Sequence, residues 1–145
     1  MAVSNPRHLS ETYVIAIAGG SGSGKSTLAD ALVSEIGSSF ATVLTVDAYY
    51  HDLAHLSLTA REQTNFDHPD ALDLALFEQH VVALKRGQTI QQPCYDFETH
   101  CRQAQTVEMI PRKWIVVEGI LVTATASLRD LYDQVIYVEA DNTLR

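Results

Sequence analysis

Residues 19–27 read GGSGSGKST and match the pattern G-x-x-x-x-G-K-[ST]. Glycines let a backbone wrap closely around an anion, so that successive N–H groups point inward. In this pattern the lysine reaches the β- and γ-phosphates of a nucleotide, and the hydroxyl after it can ligate Mg²⁺. The candidate phosphate-binding residues are Gly19, Gly20, Ser21, Gly22, Ser23, Gly24, Lys25, Ser26 and Thr27. The alternative interpretation is that this stretch is a flexible connector between a strand and a helix.

The segments on either side of this stretch favour the phosphate site over the connector. Residues 12–18 are a short apolar run rich in β-branched side chains, which predicts a buried strand. From Lys25 onward, Leu28, Leu32 and Ile36 recur every four positions and Gly37 follows them, which predicts a helix. A helix that begins at Lys25 directs the positive end of its dipole towards a bound phosphate.

The rest of the chain continues the alternation of strand and helix. Further strands are predicted at residues 40–46, 114–117 and 134–139, and helices at residues 73–86 and 127–132. Residues 47–70 show no clear period and are predicted as a loop with one short helix near 59–64. Residues 88–110 are predicted as a small β-hairpin insertion, with arms near 88–91 and 105–110. This alternation predicts an α/β fold with a four-stranded parallel sheet and flanking helices.

Composition excludes several classes of function. The chain has 145 residues and a formal net charge of −8, and its length fits one domain covering residues 1–145. A negative surface repels the backbone of DNA or RNA, so we expect no nucleic-acid partner. No apolar run approaches the roughly 20 residues of a membrane helix, so we expect no membrane association. Cys94 and Cys101 are too few for a zinc cluster, and we expect a cytoplasmic protein with reduced thiols.

Two acidic residues follow predicted strands, at the sheet edge where open parallel sheets bind their ligands. Asp47 comes directly after residues 40–46, and Glu118 after residues 114–117. Beside a triphosphate, the Asp47 carboxylate can accept the proton of an attacking hydroxyl or hold a metal ion, or it can simply cap a turn. Glu118 ends an apolar strand and therefore needs a partner. Its candidate partners are Mg²⁺ and the amides of Gly119 or Ile120.

Five segments, taken together and in order, resemble the uridine kinase (uridine–cytidine kinase) family of P-loop nucleoside kinases. These segments are GGSGSGKST (19–27), DAYYHDL (47–53), NFDHPDALD (65–73), PCYDFETHCR (93–102) and VVEGIL (116–121). Phosphoribulokinase and bacterial pantothenate kinase share the glycine-rich stretch, but we do not expect them to carry the hairpin pattern. The resemblance covers nearly the whole chain and implies a P-loop NTPase-type sheet.

The resemblance also implies an activity: transfer of the γ-phosphoryl group of ATP or GTP to the 5′-hydroxyl of uridine or cytidine, which gives UMP or CMP. It implies that Asp47 is the general base and that Lys25 binds the transferred phosphate. Ser26, Asp47 and Glu118 would form the Mg²⁺ environment.

For the nucleoside, the resemblance implies a pocket of Tyr50, Tyr95 and His100, with His100 bonded to the pyrimidine edge. Asp67 would bind the ribose hydroxyls, joined by Arg145. This pairing is chemically reasonable, because a carboxylate accepts from both hydroxyls and an arginine only donates. Relatives of this family form homotetramers, so the resemblance suggests the same assembly here.

Members of the family continue for several dozen residues beyond the position of Arg145, through an arginine-rich lid, a fifth strand and a last helix. We therefore expect this sequence to be a truncated kinase domain with weak turnover, because lid arginines stabilise the transition-state charge. Two alternatives remain: a nucleotide-binding remnant without turnover, and a neighbouring P-loop kinase such as phosphoribulokinase.

Overall fold

The structure is a computed structural model that describes residues 12–20, 22–66 and 68–139. The strands in these ranges are β1 (Tyr13–Gly19), β2 (Ala41–Thr45), β3 (Ile90–Asp96), β4 (Cys101–Met109), β5 (Trp114–Gly119) and β6 (Gln134–Val138). The α-helices are α1 (Lys25–Ile36), α2 (Leu58–Glu62), α3 (Leu74–Lys85) and α4 (Ala126–Arg129). Two 3₁₀ helices cover Val46–Tyr49 and Pro69–Ala71.

Four parallel strands form the central sheet, in the order β2–β5–β1–β6. The inner strands β1 and β5 are buried along nearly their whole length, as expected when both faces of a parallel sheet are covered. Alternate β1 residues face opposite layers. Ile15 and Ile17 pack with Ala29 of α1, whereas Val14 and Ala16 belong to the larger core that contains Phe77 of α3.

The predicted fold class is confirmed, and the helices near 25–36, 59–64 and 73–86 are present. The helix predicted at 127–132 is shorter, because α4 ends at Arg129 and residues 130–132 form a turn. No helix among the described residues combines the length and the apolar character needed to cross a bilayer.

The hairpin of β3 and β4 differs from its prediction in extent. Its strands reach Asp96 and Cys101, so only residues 97–100 connect them. The reason is local turn chemistry: the Asp96 carboxylate accepts hydrogen bonds from the N–H groups of Glu98 (2.9 Å) and Thr99 (3.4 Å). His100 completes the turn with a positive φ of 56°. The residues between the two predicted arms therefore belong to the paired strands and to a tight turn.

Two arginines hold the connections beside the sheet in place. On α2, Arg61 donates to backbone carbonyls in the segment 53–56, at Leu53 and Leu56 (both 2.9 Å), and to Thr99 in the hairpin turn (3.0 Å). On β4, the Arg102 side chain donates to the carbonyl of Tyr50 at 3.2 Å. The hairpin is thereby fixed to the segment that follows β2.

Candidate active site

The glycine-rich stretch connects the end of β1 to the start of α1, as the sequence predicts. Gly24 is the N-cap of α1 and adopts a left-handed conformation with φ of 97°. No side chain caps this helix end, so its first N–H groups remain available for an anion. A β-carbon at Gly19 would lie 2.8 Å from the Ser23 hydroxyl oxygen and would also overlap the carbonyl of Val138, so this turn requires glycine.

Lys25 is buried, with 9% of its surface exposed, although it carries a charge. Its ammonium group donates a hydrogen bond to the carbonyl of Gly20 at 2.7 Å, across the mouth of the glycine-rich turn. Its positive charge also acts on Asp47. Lys25 is therefore held between the glycine-rich turn and the acidic edge of the sheet.

Glu118 lies within β5 rather than after it, and it lies beside the end of β2 because these two strands are neighbours and Thr45 pairs with Glu118. Glu118 is only 7% exposed and accepts a hydrogen bond from the Thr45 hydroxyl at 2.8 Å. Its partner is thus neither of the two amides proposed from the sequence. Thr45 rather than Asp47 caps the following 3₁₀ helix, since its oxygen accepts the Asp47 N–H at 3.4 Å. Within the described residues, no protein group donates to the Asp47 carboxylate.

Burial raises the pKa of Asp47 above its ordinary value, and the positive charge of Lys25 partly opposes this effect. A carboxyl group whose charged form is disfavoured binds a proton more readily than an exposed one. The site therefore makes Asp47 a stronger base than a carboxylate on the surface.

The donor set at this edge fits Mg²⁺. No group of three His, Cys, Asp or Glu residues suited to a metal occurs in the part of the chain that the structure describes. Two carboxylates and the Ser26 hydroxyl nevertheless line one cavity. Mg²⁺ is commonly held by one or two carboxylates together with substrate phosphates and water, so a third acid is not required.

Aromatic residues of the hairpin form the opposite wall. Tyr95 is buried and its ring lies 5.3 Å from that of Tyr50. Tyr50 contacts Phe66 at 5.3 Å, and the Phe66 ring stacks on His100 at 4.8 Å with an interplanar angle of 21°. Tyr50 and His100 thus connect to this wall through ring contacts, but neither is among the residues that line the cavity. Phe66 was not predicted from the sequence.

The two walls enclose a cavity of about 480 Å³. Its lining residues are Ser26, Thr45, Asp47, Ala48, Gln92, Pro93, Cys94, Tyr95, Phe97 and Glu118. Of the predicted site residues, this cavity brings together Ser26, Asp47, Glu118 and Tyr95. Thr27 lies on the exposed first turn of α1 and is not part of the lining. Both cysteines are free thiols.

Three predicted site residues, Ser21, Asp67 and Arg145, lie outside the described residues. Six lining residues were not predicted as site residues: Thr45, Ala48, Gln92, Pro93, Cys94 and Phe97. Thr45 is the last residue of β2 and lies two residues before Asp47. This position at the end of a strand was a usable signal for it. Gln92 lies just before the segment 93–102 and carries no motif, so only the pairing of the hairpin places it here. Phe97 lies within that segment, so the family resemblance offered a signal for it.

Comparisons with known proteins show what the chain is similar to. The profile of the phosphoribulokinase/uridine kinase family matches residues 14–145. A uridine kinase from Clostridium novyi (strain NT) is 40% identical over 132 residues, which cover 91% of this chain and 64% of that protein. A uridine kinase from Shewanella sp. (strain ANA-3) is 44% identical over 133 residues, which cover 89% of this chain and 63% of that protein. The chain therefore spans less than two thirds of the length of these curated relatives.

Solved structures show the same fold. A protein from Bacillus stearothermophilus described as a possible uridine kinase superposes with a TM-score of 0.72 at 23% identity, covering 92% of this chain and 73% of that one. Phosphoribulokinase from Rhodobacter spheroides superposes with a TM-score of 0.66 at 14% identity, covering 88% of this chain and 51% of that one.

Proposed function

The chain belongs to the phosphoribulokinase/uridine kinase family, and from that premise we propose that it transfers the γ-phosphoryl group of ATP or GTP to the 5′-hydroxyl of uridine or cytidine. The observation that carries this proposal is the single cavity in which Ser26, Asp47 and Glu118 face Tyr95 of the hairpin. One side of this cavity suits phosphate and metal, and the other side suits a planar ring.

In the proposed reaction, the 5′-oxygen of the nucleoside attacks the γ-phosphorus in line. The bond between the γ-phosphorus and the β–γ bridging oxygen breaks, so that UMP or CMP forms and ADP or GDP leaves. The proton of the 5′-hydroxyl passes to the Asp47 carboxylate, whose raised pKa brings it closer to the value a general base needs at neutral pH. Catalysis otherwise consists of positioning and charge stabilisation.

The phosphate tail is assigned to the glycine-rich turn and the uncapped start of α1, with Lys25 exchanging the Gly20 carbonyl for phosphate oxygens. Ser26, Asp47 and Glu118 would hold Mg²⁺. When bound, this ion would neutralise charge on the β- and γ-phosphate oxygens.

The nucleoside is assigned to the hairpin side. Tyr50, Tyr95 and His100 would bind the base, and Asp67 with Arg145 would bind the ribose. The assignment of Asp67 and Arg145 to the ribose rests on the family resemblance. We propose in the same way that the complete protein is a homotetramer.

The proposal is tested by separating binding from turnover. Uridine, cytidine and ribulose 5-phosphate are titrated into the 145-residue chain by calorimetry, and turnover with Mg-ATP is measured on the full reading frame that contains it. We expect saturable binding of a pyrimidine nucleoside, and nucleoside monophosphate as product. Binding and phosphorylation of ribulose 5-phosphate with no response to uridine would refute the proposal in favour of a sugar-phosphate kinase. Binding without turnover by the full reading frame would identify a nucleotide-binding remnant.

A further inference from the structure

The Thr45 hydroxyl contacts both acids of the candidate site. It donates a hydrogen bond to Oε1 of Glu118 at 2.8 Å and accepts a longer one from the N–H of Asp47 at 3.4 Å. A backbone N–H can only donate, so the threonine oxygen is the acceptor in the second bond and its single hydrogen remains for Glu118. One hydroxyl group therefore links the acid within β5 to the acid that follows β2.

The bond from Thr45 uses one oxygen of the Glu118 carboxylate and leaves the other open. Within the described ranges, no group donates to Oε2 of Glu118. The buried side-chain polar atoms that lack a partner there belong to Ser23, Gln92 and Tyr95, so Oε2 is not one of them and retains exposed surface. Glu118 is otherwise buried and lines the cavity. Oε2 is therefore the part of this carboxylate that a bound ion can reach.

The orientation of this carboxylate depends on Thr45. Glutamate has several rotatable bonds, and the Thr45 hydroxyl is the one described group that donates to its carboxylate here. The pairing of Thr45 with Glu118 across β2 and β5 fixes the two residues side by side in the absence of any ligand. Mg²⁺ demands near-octahedral geometry, and carboxylates that ligate a metal are commonly held by hydrogen bonds of this kind.

We propose that Thr45 is a positioning residue for the metal ion: its hydroxyl holds the Glu118 carboxylate so that Oε2 is free to bind Mg²⁺. This inference rests on the proposed function and deepens it, since it names the group that orders the metal environment. Thr45 acts through Glu118 and not on the substrates. The competing interpretation is that Thr45 only caps the 3₁₀ helix Val46–Tyr49.

The test compares the binding of ATP with and without the ion. ATP in EDTA and Mg-ATP are titrated by calorimetry into the 145-residue chain and into its Thr45→Val, Thr45→Ser and Thr42→Val variants. The ratio of the two affinities measures what the ion contributes to binding. Valine has the shape of threonine without the hydroxyl, whereas serine keeps it.

Thr42 is the matched control because it is the same residue type on the same strand. It is 6% exposed, its hydroxyl donates to the carbonyl of Ile110 at 2.6 Å, and it does not line the cavity. Both valine variants should melt below the parent, since each leaves a hydrogen-bonding group without its partner. Thr45→Ala, which also lacks the hydroxyl and adds no bulk, is measured beside them so that the result does not depend on the folding of one variant.

We expect the parent to bind Mg-ATP more tightly than ATP in EDTA. Thr45→Val and Thr45→Ala should lower this ratio by about 10- to 100-fold, the loss typical when the hydrogen-bond partner of a metal ligand is removed. Binding of ATP in EDTA should change little. Thr45→Ser and Thr42→Val should keep the ratio of the parent.

Four results would overturn the inference: a parental ratio in Thr45→Val and Thr45→Ala, an equal drop in Thr42→Val, no recovery in Thr45→Ser, or equal affinities of the parent for ATP and Mg-ATP. In each case, formation of UMP or CMP by the full reading frame would still support the proposed function. Absence of binding of either form of ATP by the parent would refute the phosphate site of the proposed function, and the inference with it.

Discussion

At the scale of single residues, Asp47 combines a chemical role with a cost in stability. Burial raises its pKa in the folded chain above the ordinary value of 3.8. The unfolded chain therefore loses this proton at a lower pH than the folded chain does. Stability falls as the pH rises from 3.8 through the raised folded value, and the full cost is present above that window.

The substitution Asp47→Asn removes this charge, so we expect the variant to melt above the parent at pH 7 and the difference to vanish below pH 3.8. Turnover of the full reading frame should drop by about 10² to 10⁴, as for loss of a general base. Melting temperatures across this pH range and a coupled kinase assay provide the measurements. Asp30→Asn, at an exposed position of α1, serves as the control. A lower melting temperature at pH 7, or normal turnover, would contradict this account.

Lys25 is the second residue with a sharp prediction. Because its ammonium group is aimed across the phosphate-binding turn, Lys25→Met should weaken binding of Mg-ATP by at least about tenfold, the loss expected for hydrogen bonds to a charged group. Lys85→Met is a matched control, since Lys85 also donates to a backbone carbonyl, that of Leu131 at 2.9 Å. Equal affinities of the two variants would remove Lys25 from the nucleotide site.

Sequence reasoning found some residues of the candidate site for physical reasons and missed others for reasons equally physical. Asp47 and Glu118 were identified because the end of a buried strand is a local feature that places a side chain in the ligand crevice. Gln92 has no such feature: it pairs with Val107, 15 positions along the chain, next to the point between Pro93 and Tyr95 where the register of β3 against β4 shifts. A register shift of this kind depends on contacts that no local pattern encodes.

At the scale of elements, the end of β5 packs closely against the residue that follows β2. A β-carbon at Gly119 would overlap the side chain of Val46, which directly precedes Asp47. We expect Gly119→Ala to lower the free energy of unfolding by about 1–3 kcal/mol, the usual range for overpacking. It should also weaken turnover, because Val46 must move and carries Asp47 with it.

Denaturant unfolding measures the effect on stability, with Gly20→Ala as the comparison. A β-carbon at Gly20 meets no described atom within 4 Å, so its free energy of unfolding should change little. Similar losses in the two variants would show that the contact with Val46 is unimportant.

The elements themselves were predictable to different degrees. The strands of the sheet and the helices α1 and α3 follow from short-range periodicity, since each buries a face defined by its own sequence. The hairpin strands were underestimated because β4 is exposed along most of its length and shows no alternation of burial to recognise. Only pairing with β3 and the Asp96 turn define it.

At the scale of the whole molecule, β6 is an edge strand among the described residues, with β1 as its one described neighbour. The backbone groups of an edge strand can pair with another chain. Tyr137 on this strand is 66% exposed. We expect the 145-residue chain to associate as its concentration rises, and Tyr137→Lys to reduce the association. Leu58→Lys, on the exposed side of α2, should leave it unchanged. Sedimentation velocity gives the answer, and a single monomeric species over a wide concentration range would argue against an adhesive edge.

The contacts of Arg61 have a consequence for how the site opens. One guanidinium donates to carbonyls of two separate stretches, the segment 53–56 and Thr99 of the hairpin turn. Thr99 lies 43 to 46 positions after this segment (99 − 56 to 99 − 53), yet neither stretch can move outward without breaking bonds to the same group. The amide hydrogens of the two stretches should therefore exchange with solvent at correlated rates. Loss of the Arg61 hydrogen bonds should free both stretches at once.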